Sequence, residues 1–145
     1  MLIWSDGAVW LTRRNGTKSR EKRAHKPSKY KNRKTEIDGI VFDSKAEAQH
    51  YVDLREAKVK GEIADFRMQV PLEVIPSWKP PWSKRTIRAM TYVADFIVTY
   101  NDGREEIQDV KGSSGYQTRE FINKKKTFEY LHKKEIVIVK KPNIR

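Results

Sequence analysis

Apolar and polar positions alternate on several different periods along this chain, and the changes of period mark its elements. Residues 1–12, MLIWSDGAVWLT, hold two short apolar runs around Asp6-Gly7. Asp-Gly tolerates the positive φ of a tight turn, so a small β-hairpin is expected there. From Arg13 to Lys34 the apolar periodicity fades into Lys, Arg, Asn, Gly, Pro and Ser, which predicts a flexible arm. Thr35–Phe42 gives a second candidate hairpin with Asp38-Gly39 as its turn. Asp43-Ser44 then opens the clearest helix, where Ser44 and Glu47 match the S-x-x-E capping box. It runs to about Lys60, Gly61 is its natural stop, and Ala48, Tyr51, Val52 and Val59 recur as its buried stripe.

Extended segments follow. Ile63–Ile75 alternates but is interrupted at Pro71, and Pro76–Arg85 is a proline-rich loop carrying Trp78 and Trp82. Ile87–Tyr100 is a long strand, turned by Asn101-Asp102-Gly103 into Arg104–Lys111. Gly112–Gly115 is a loop. Thr118 caps a second helix to about Lys133, with Phe121, Ile122, Phe128 and Leu131 on its apolar side. Ile136–Val139 is a short apolar strand suited to a buried sheet position. From residue 44 the order is α-β-β-β-α-β: an α/β domain with a central mixed sheet. The expected organisation is residues 1–34 as hairpin and basic arm, and residues 35–145 as the folded domain.

Composition narrows the classes. The 145 residues suit one domain, and 37% are hydrophobic, lean but enough for a core. With no cysteine there is no disulfide, thiolate zinc site or cysteine nucleophile. No apolar run approaches the roughly 18 residues of a membrane span. The first residues lack the pattern of an export signal, so a cytoplasmic location is expected.

Charge adds a partner. The net charge is +12. Residues 1–34 hold 11 basic and 2 acidic residues (+9), whereas residues 35–145 hold 20 and 17 (+3). So basic an arm points to a polyanion, nucleic acid first. Its candidate phosphate contacts are Arg13, Arg14, Lys18, Arg20, Lys22, Arg23, Lys31, Arg33 and Lys34. Arg88, Arg119, Lys124 and Lys125 are candidates in the body, with a solvated helix face as the plainer role for the lysines. Trp78 and Trp82 either cover the core or stack on unpaired bases. His25, His50 and His132 show no metal-ligand spacing and are expected to be solvated.

The chemistry centres on Asp95 and on Asp109-Val110-Lys111. Strand alternation puts Asp109 and Lys111 on one side, and the turn at Asn101–Gly103 brings Asp95 close to Asp109. Asp95 shares a face with Val93 and Ile97, a carboxylate where a core side chain is expected. Paired carboxylates repel unless a cation lies between them, and hard oxygen ligands suit Mg²⁺ or Mn²⁺. A neighbouring lysine can hold an attacking water or stabilise a charged transition state. Plainer roles exist for each residue: Glu47 as half of a capping box, Asp95 as a guard against edge pairing.

This arrangement of Asp, then Asp-x-Lys after a helix with an inward glutamate, resembles the PD-(D/E)XK nuclease superfamily. The strings FDSKAEAQHY, TYVADF and IQDVKG are similar to a phage-encoded branch that includes Holliday-junction-resolving endonucleases. The resemblance covers about residues 29–141. It implies a restriction-endonuclease-like core and Mg²⁺-dependent cleavage of four-way or branched DNA, in the host cytoplasm for a phage-encoded protein. Glu47, Asp95, Asp109 and Lys111 match the catalytic set, with Glu47, Asp95, Asp109 and the Val110 carbonyl around the metal. Ala94 stands at the motif's proline, and Asp109 replaces the more usual glutamate, shortening its reach by one methylene. Two symmetric cuts imply a homodimer, for which Trp4 and Trp10 offer apolar area. The alternatives are another PD-(D/E)XK repair, restriction-like or transposase-type endonuclease, or a non-catalytic nucleic-acid-binding module.

Overall fold

The computed structural model describes residues 34–142, so the hairpin expected at 1–12 and the arm residues Arg13 to Arg33 lie outside the described residues. Strands β1 (Thr35–Ile37) and β2 (Ile40–Phe42) form the expected hairpin, pairing Thr35 with Phe42 and Ile37 with Ile40. Asp38 (φ 54°) and Gly39 (φ 76°) both take the left-handed conformation that this two-residue turn demands.

Helix α1 (Lys45–Val59) starts where the cap predicts. Ser44 Oγ accepts from the Glu47 N–H at 3.1 Å. Only half of the capping box forms, because the Glu47 carboxylate meets the Ser44 hydroxyl at 3.3 Å. At the far end Glu62 N–H reaches Ala57 O (2.9 Å) and Gly61 N–H reaches Lys58 O (3.1 Å). These two bonds close the helix around Gly61, at φ 77°. The buried stripe differs from the expected one. Ala48, His50, Tyr51 and Leu54 are buried, while Val59 is 84% exposed in the final turn.

Strands β3 (Asp65–Ile75), β4 (Met90–Thr99), β5 (Glu105–Lys111) and β6 (Ile136–Lys140) make one mixed sheet in that order. Both β3–β4 and β4–β5 are antiparallel, and β5–β6 is parallel. Pro71 does not interrupt β3, because β3 is an edge strand and needs partners on one side only. Helix α2 (Arg119–His132) makes the crossover from β5 to β6, capped by Thr118 Oγ1 on the Phe121 N–H at 3.1 Å. Phe121 and Phe128 turn inward, but Ile122 and Leu131, expected beside them, are exposed.

Two cores result, one under each helix. Phe42, Ala48, Tyr51, Leu54, Phe96, Val98 and Val110 pack on the α1 side. Val74, Tyr92, Ala94, Ile97, Ile107, Phe121, Phe128 and Ile136 pack on the α2 side. The fold is α/β with a mixed central sheet between two helices. Among the described residues no helix is long and apolar enough to cross a membrane.

Candidate functional site

Strand β4 changes its alternation at Asp95. Tyr92 and Ala94 pack with the α2 core, whereas Phe96 and Val98 pack with the α1 core. A regular strand would keep all four on one face. Pairing with β3 runs from Met68–Phe96 to Val70–Ala94 and skips Gln69 opposite Asp95. Gln69 stands at φ 50°, a left-handed conformation that costs a non-glycine residue about 1–3 kcal/mol. The expected shared face of Val93, Asp95 and Ile97 is therefore broken. Ile97 is buried in the α2 core, while Val93 is 47% exposed.

The displaced Asp95 side chain bridges two strands. Its Oδ2 accepts from the Val110 N–H at 2.8 Å, beyond the point where regular β4–β5 pairing ends at Phe96–Gln108. Gln69 also hydrogen-bonds it. Next along β5, Asp109 is buried at 5% exposure on the α2 side. Its Oδ1 accepts from Tyr92 Oη at 2.9 Å, and Lys111 Nζ lies 2.8 Å from Oδ2. Among the described residues that ion pair is the sole partner of Oδ2, which has no further donor. The same ammonium stands 4.1 Å from the centre of the Phe121 ring, so α2 fixes it from the other side. Asp109 and Lys111 thus point the same way, as alternation requires.

Glu47 reaches the site from the first turn of α1. With Asp95, Gln69, Asp43, Ile40 and Phe42 it lines a cleft of about 370 Å³ between the hairpin and the sheet. Burial, then the charge of Asp95, pushes the Glu47 carboxyl up to about 7. Burial, then the charge of Asp109, raises Asp95 to about 6. Tyr92 is also raised, by burial and by Asp109. Three acids therefore share one end of the sheet and repel one another, with one ammonium among them.

An excess of buried, under-compensated carboxylate oxygen fits a hard divalent cation in donor chemistry. The donor atoms are not drawn into a cage, however. Among the described residues no three acidic or histidine side chains converge to ligand distance. The Lys111 ammonium stands beside Asp109.

The basic candidates are dispersed. Lys34 is exposed ahead of β1, Arg88 lies in the loop before β4, and Arg119 is exposed at the start of α2. Lys124 pairs with Glu120 (2.9 Å) and Lys125 with Glu129 (2.6 Å), so both are engaged within α2. A larger cleft of about 610 Å³ includes Arg67, Arg104, Glu105, Phe128 and Lys134 and touches none of Glu47, Asp95, Asp109 or Lys111.

Sequence reasoning missed three contributors. Tyr92 and Gln69 position the two aspartates; the alternation of TYVADF carried a trace of the first, and no local pattern announced the second. The third is His50, expected to be solvated but buried. Its Nε2 donates to Gln108 Oε1 at 2.6 Å, and its ring meets Phe96 edge-on at 5.1 Å. The apolar partners that bury it lie far away in sequence.

No curated protein and no solved structure matches the chain. One family model does, described as a protein of unknown function (DUF1064), and it matches residues 27–143, which include all of α1, both sheets and α2. The chain belongs to the DUF1064 family.

Proposed function

We propose that this protein is a metal-dependent DNA endonuclease with a restriction-endonuclease-like core, directed at four-way junctions and other branched DNA. The observation that carries the reading is that Glu47, Asp95, Asp109 and Lys111 stand near one another at one end of the sheet, close enough for the acids to raise one another's pKa, in an order and on elements that resemble the PD-(D/E)XK pattern. Glu47, Asp95, Asp109 and the Val110 carbonyl would hold Mg²⁺, with Mn²⁺ as a substitute. The bound cation supplies a water of lowered pKa and neutralises charge on the scissile phosphate.

The chain's own residues do the rest. Val110 N–H and Gln69 hold the Asp95 carboxylate in place. Tyr92 fixes one oxygen of Asp109, and the other, now paired with Lys111, is the one that would face a bound cation. Lys111 would leave Asp109 for the attacking water, orienting it toward phosphorus while its own charge stabilises the pentavalent state. No covalent intermediate on the protein is needed.

A second reading has one observation in its favour. The closed Tyr92–Asp109–Lys111 network is also what a purely structural polar cluster would form, in a protein that binds nucleic acid without cutting it. One experiment separates them. Labelled four-way junction, linear duplex of the same sequences and single strand are incubated with the protein in Mg²⁺, Mn²⁺ or EDTA. Cleavage of the junction that needs the metal supports the endonuclease, and preference over duplex supports the junction reading. Binding without cleavage in either metal establishes the binder. Equal cleavage of duplex establishes a nuclease of another habit.

A further inference from the structure

We infer that the β3–β4 loop, residues 76–89, is a preformed base-stacking element that holds unpaired nucleotides of branched DNA beside the site. The inference rests on the nuclease reading and names the part of the substrate it grips.

The loop is built, despite its length. Trp78 N–H bonds Ile87 O at 3.0 Å and Ile87 N–H bonds Trp78 O at 2.8 Å, an antiparallel bridge that carries the β3–β4 hairpin outward. Ser83 N–H closes a turn on Pro80 O at 3.1 Å, and the Pro80 side chain is fully buried. Trp78 and Trp82 meet edge to face, with ring centres 5.7 Å apart. Prolines and cross-loop bonds thus fix the rings before any ligand arrives, which lowers the entropic cost of binding.

The rings nonetheless face water. Trp82 is 78% exposed and Trp78 42%, with Ile87 and Met90 exposed alongside. The expectation that these tryptophans cover the core does not describe Trp82. An apolar surface that is held rigid and left open suits a binding partner. Charge selects which one. Between Pro76 and Ala89 stand Lys79, Lys84, Arg85 and Arg88, and no acid. Two copies of so basic a loop would repel each other, which argues against a second chain of this protein as the occupant. Open aromatic faces ringed by cations match a nucleic acid whose bases are free to stack and whose phosphates need neutralising.

Position supports the same occupant. The loop leaves β3 at Ile75 and enters β4 at Met90, and Tyr92, which bonds Asp109, is two residues further on. Since β4 and β5 are antiparallel with Phe96 opposite Gln108, the loop and Lys111 share one end of the sheet. Bases unpaired at a branch point would stack on Trp82 while the adjoining phosphates lie toward the acids.

The test is equilibrium binding by the full chain in EDTA, so that no cleavage is required. The probes are a 12-nucleotide oligothymidine, a four-way junction and a blunt duplex, with the wild type, Trp82→Ala and Trp82→Phe. Loss of one stacked base should weaken oligothymidine and junction binding about tenfold or more in Trp82→Ala, with duplex binding unchanged. Trp82→Phe keeps a π-face and should restore most of the affinity. Equal losses on all three probes, or no loss, would overturn the inference. So would a fall in molecular mass of Trp82→Ala from dimer to monomer, which would make the patch a self-association surface. If stacking behaves as expected but Mg²⁺ yields no cleavage, the nuclease reading fails alone. If cleavage occurs and Trp82→Ala binds normally, this inference fails alone.

Discussion

At the scale of single residues, the site depends on charges placed where apolar side chains would ordinarily stand. Asp109 is buried, bonded by Tyr92 and faced by Lys111, so a change at any of the three should be felt at the site. Asp109→Asn and Lys111→Ala should each lower junction cleavage in Mg²⁺ by about 100-fold or more, with binding retained. Tyr92→Phe keeps the ring in the core and removes only the donor, so a loss of about 10–100-fold is expected. Single-turnover cleavage assays beside binding assays in EDTA would check all three. Near wild-type cleavage by Asp109→Asn would show that the site lies elsewhere. That Asp109 and Lys111 point the same way was legible in the sequence, because strand alternation fixes it. The slip at Asp95 was not. It is set by the left-handed Gln69 on the neighbouring strand, and no local pattern in either segment specifies that pairing.

At the scale of elements, the sequence was most readable where an end is chemically marked. Ser44, Thr118, Gly61 and Asp38-Gly39 each sit at the predicted boundary, because capping and positive φ are local demands. Which face of a helix is buried is not a local property. Val59 has the helical spacing of a core residue but stands exposed in the last turn of α1, whereas Leu54 packs among Phe96 and Val98. Leu54→Ala should therefore cost about 2–5 kcal/mol and Val59→Ala less than about 0.5 kcal/mol, measured by urea unfolding.

His50 supplies a pH test on the same helix. Burial holds its pKa below the ordinary 6.5, and Lys141 adds to this, against the opposing effects of Gln108, Asp53 and Glu106. The unfolded chain binds that proton more readily than the folded one. The His50 contribution to stability should therefore fall as pH drops below about 6.5, against the opposite contributions of the raised Glu47 and Asp95, and His50→Gln should leave a profile that rises more toward pH 5 than the wild type's. A wild-type and a variant profile of equal slope between pH 7 and 5 would contradict the assignment.

At the scale of the whole molecule, the charge asymmetry makes the prediction. Residues 1–34 carry +9 of the total +12. If roughly four of these cations meet phosphates, they contribute about 3.6 to the slope of log K against log salt. Deleting Arg13–Lys34 should weaken DNA binding strongly at low salt and flatten that slope by a few units. Cleavage at saturating protein should survive, since Glu47, Asp95, Asp109 and Lys111 lie beyond the deletion. An unchanged slope in a folded deletion variant would assign the arm to solubility alone.

The parallel pairing of β6 with β5 has a consequence for timing. Asp109, Val110 and Lys111 are held in register by Ile138, Val139 and Lys140, and Lys141 closes the arrangement through Lys111 O and Asp53. Lys140 is synthesised 29 positions after Lys111, a delay of about 1.5–6 s at ordinary translation rates. During that interval every acid of the site already exists in the nascent chain, but the strand that sets their spacing does not. Ribosome-held chains exposing residues up to 135 should be inert toward junctions, and chains exposing residue 141 should cut them. The proposed endonuclease would thus stay inert toward DNA until its last strand is in place.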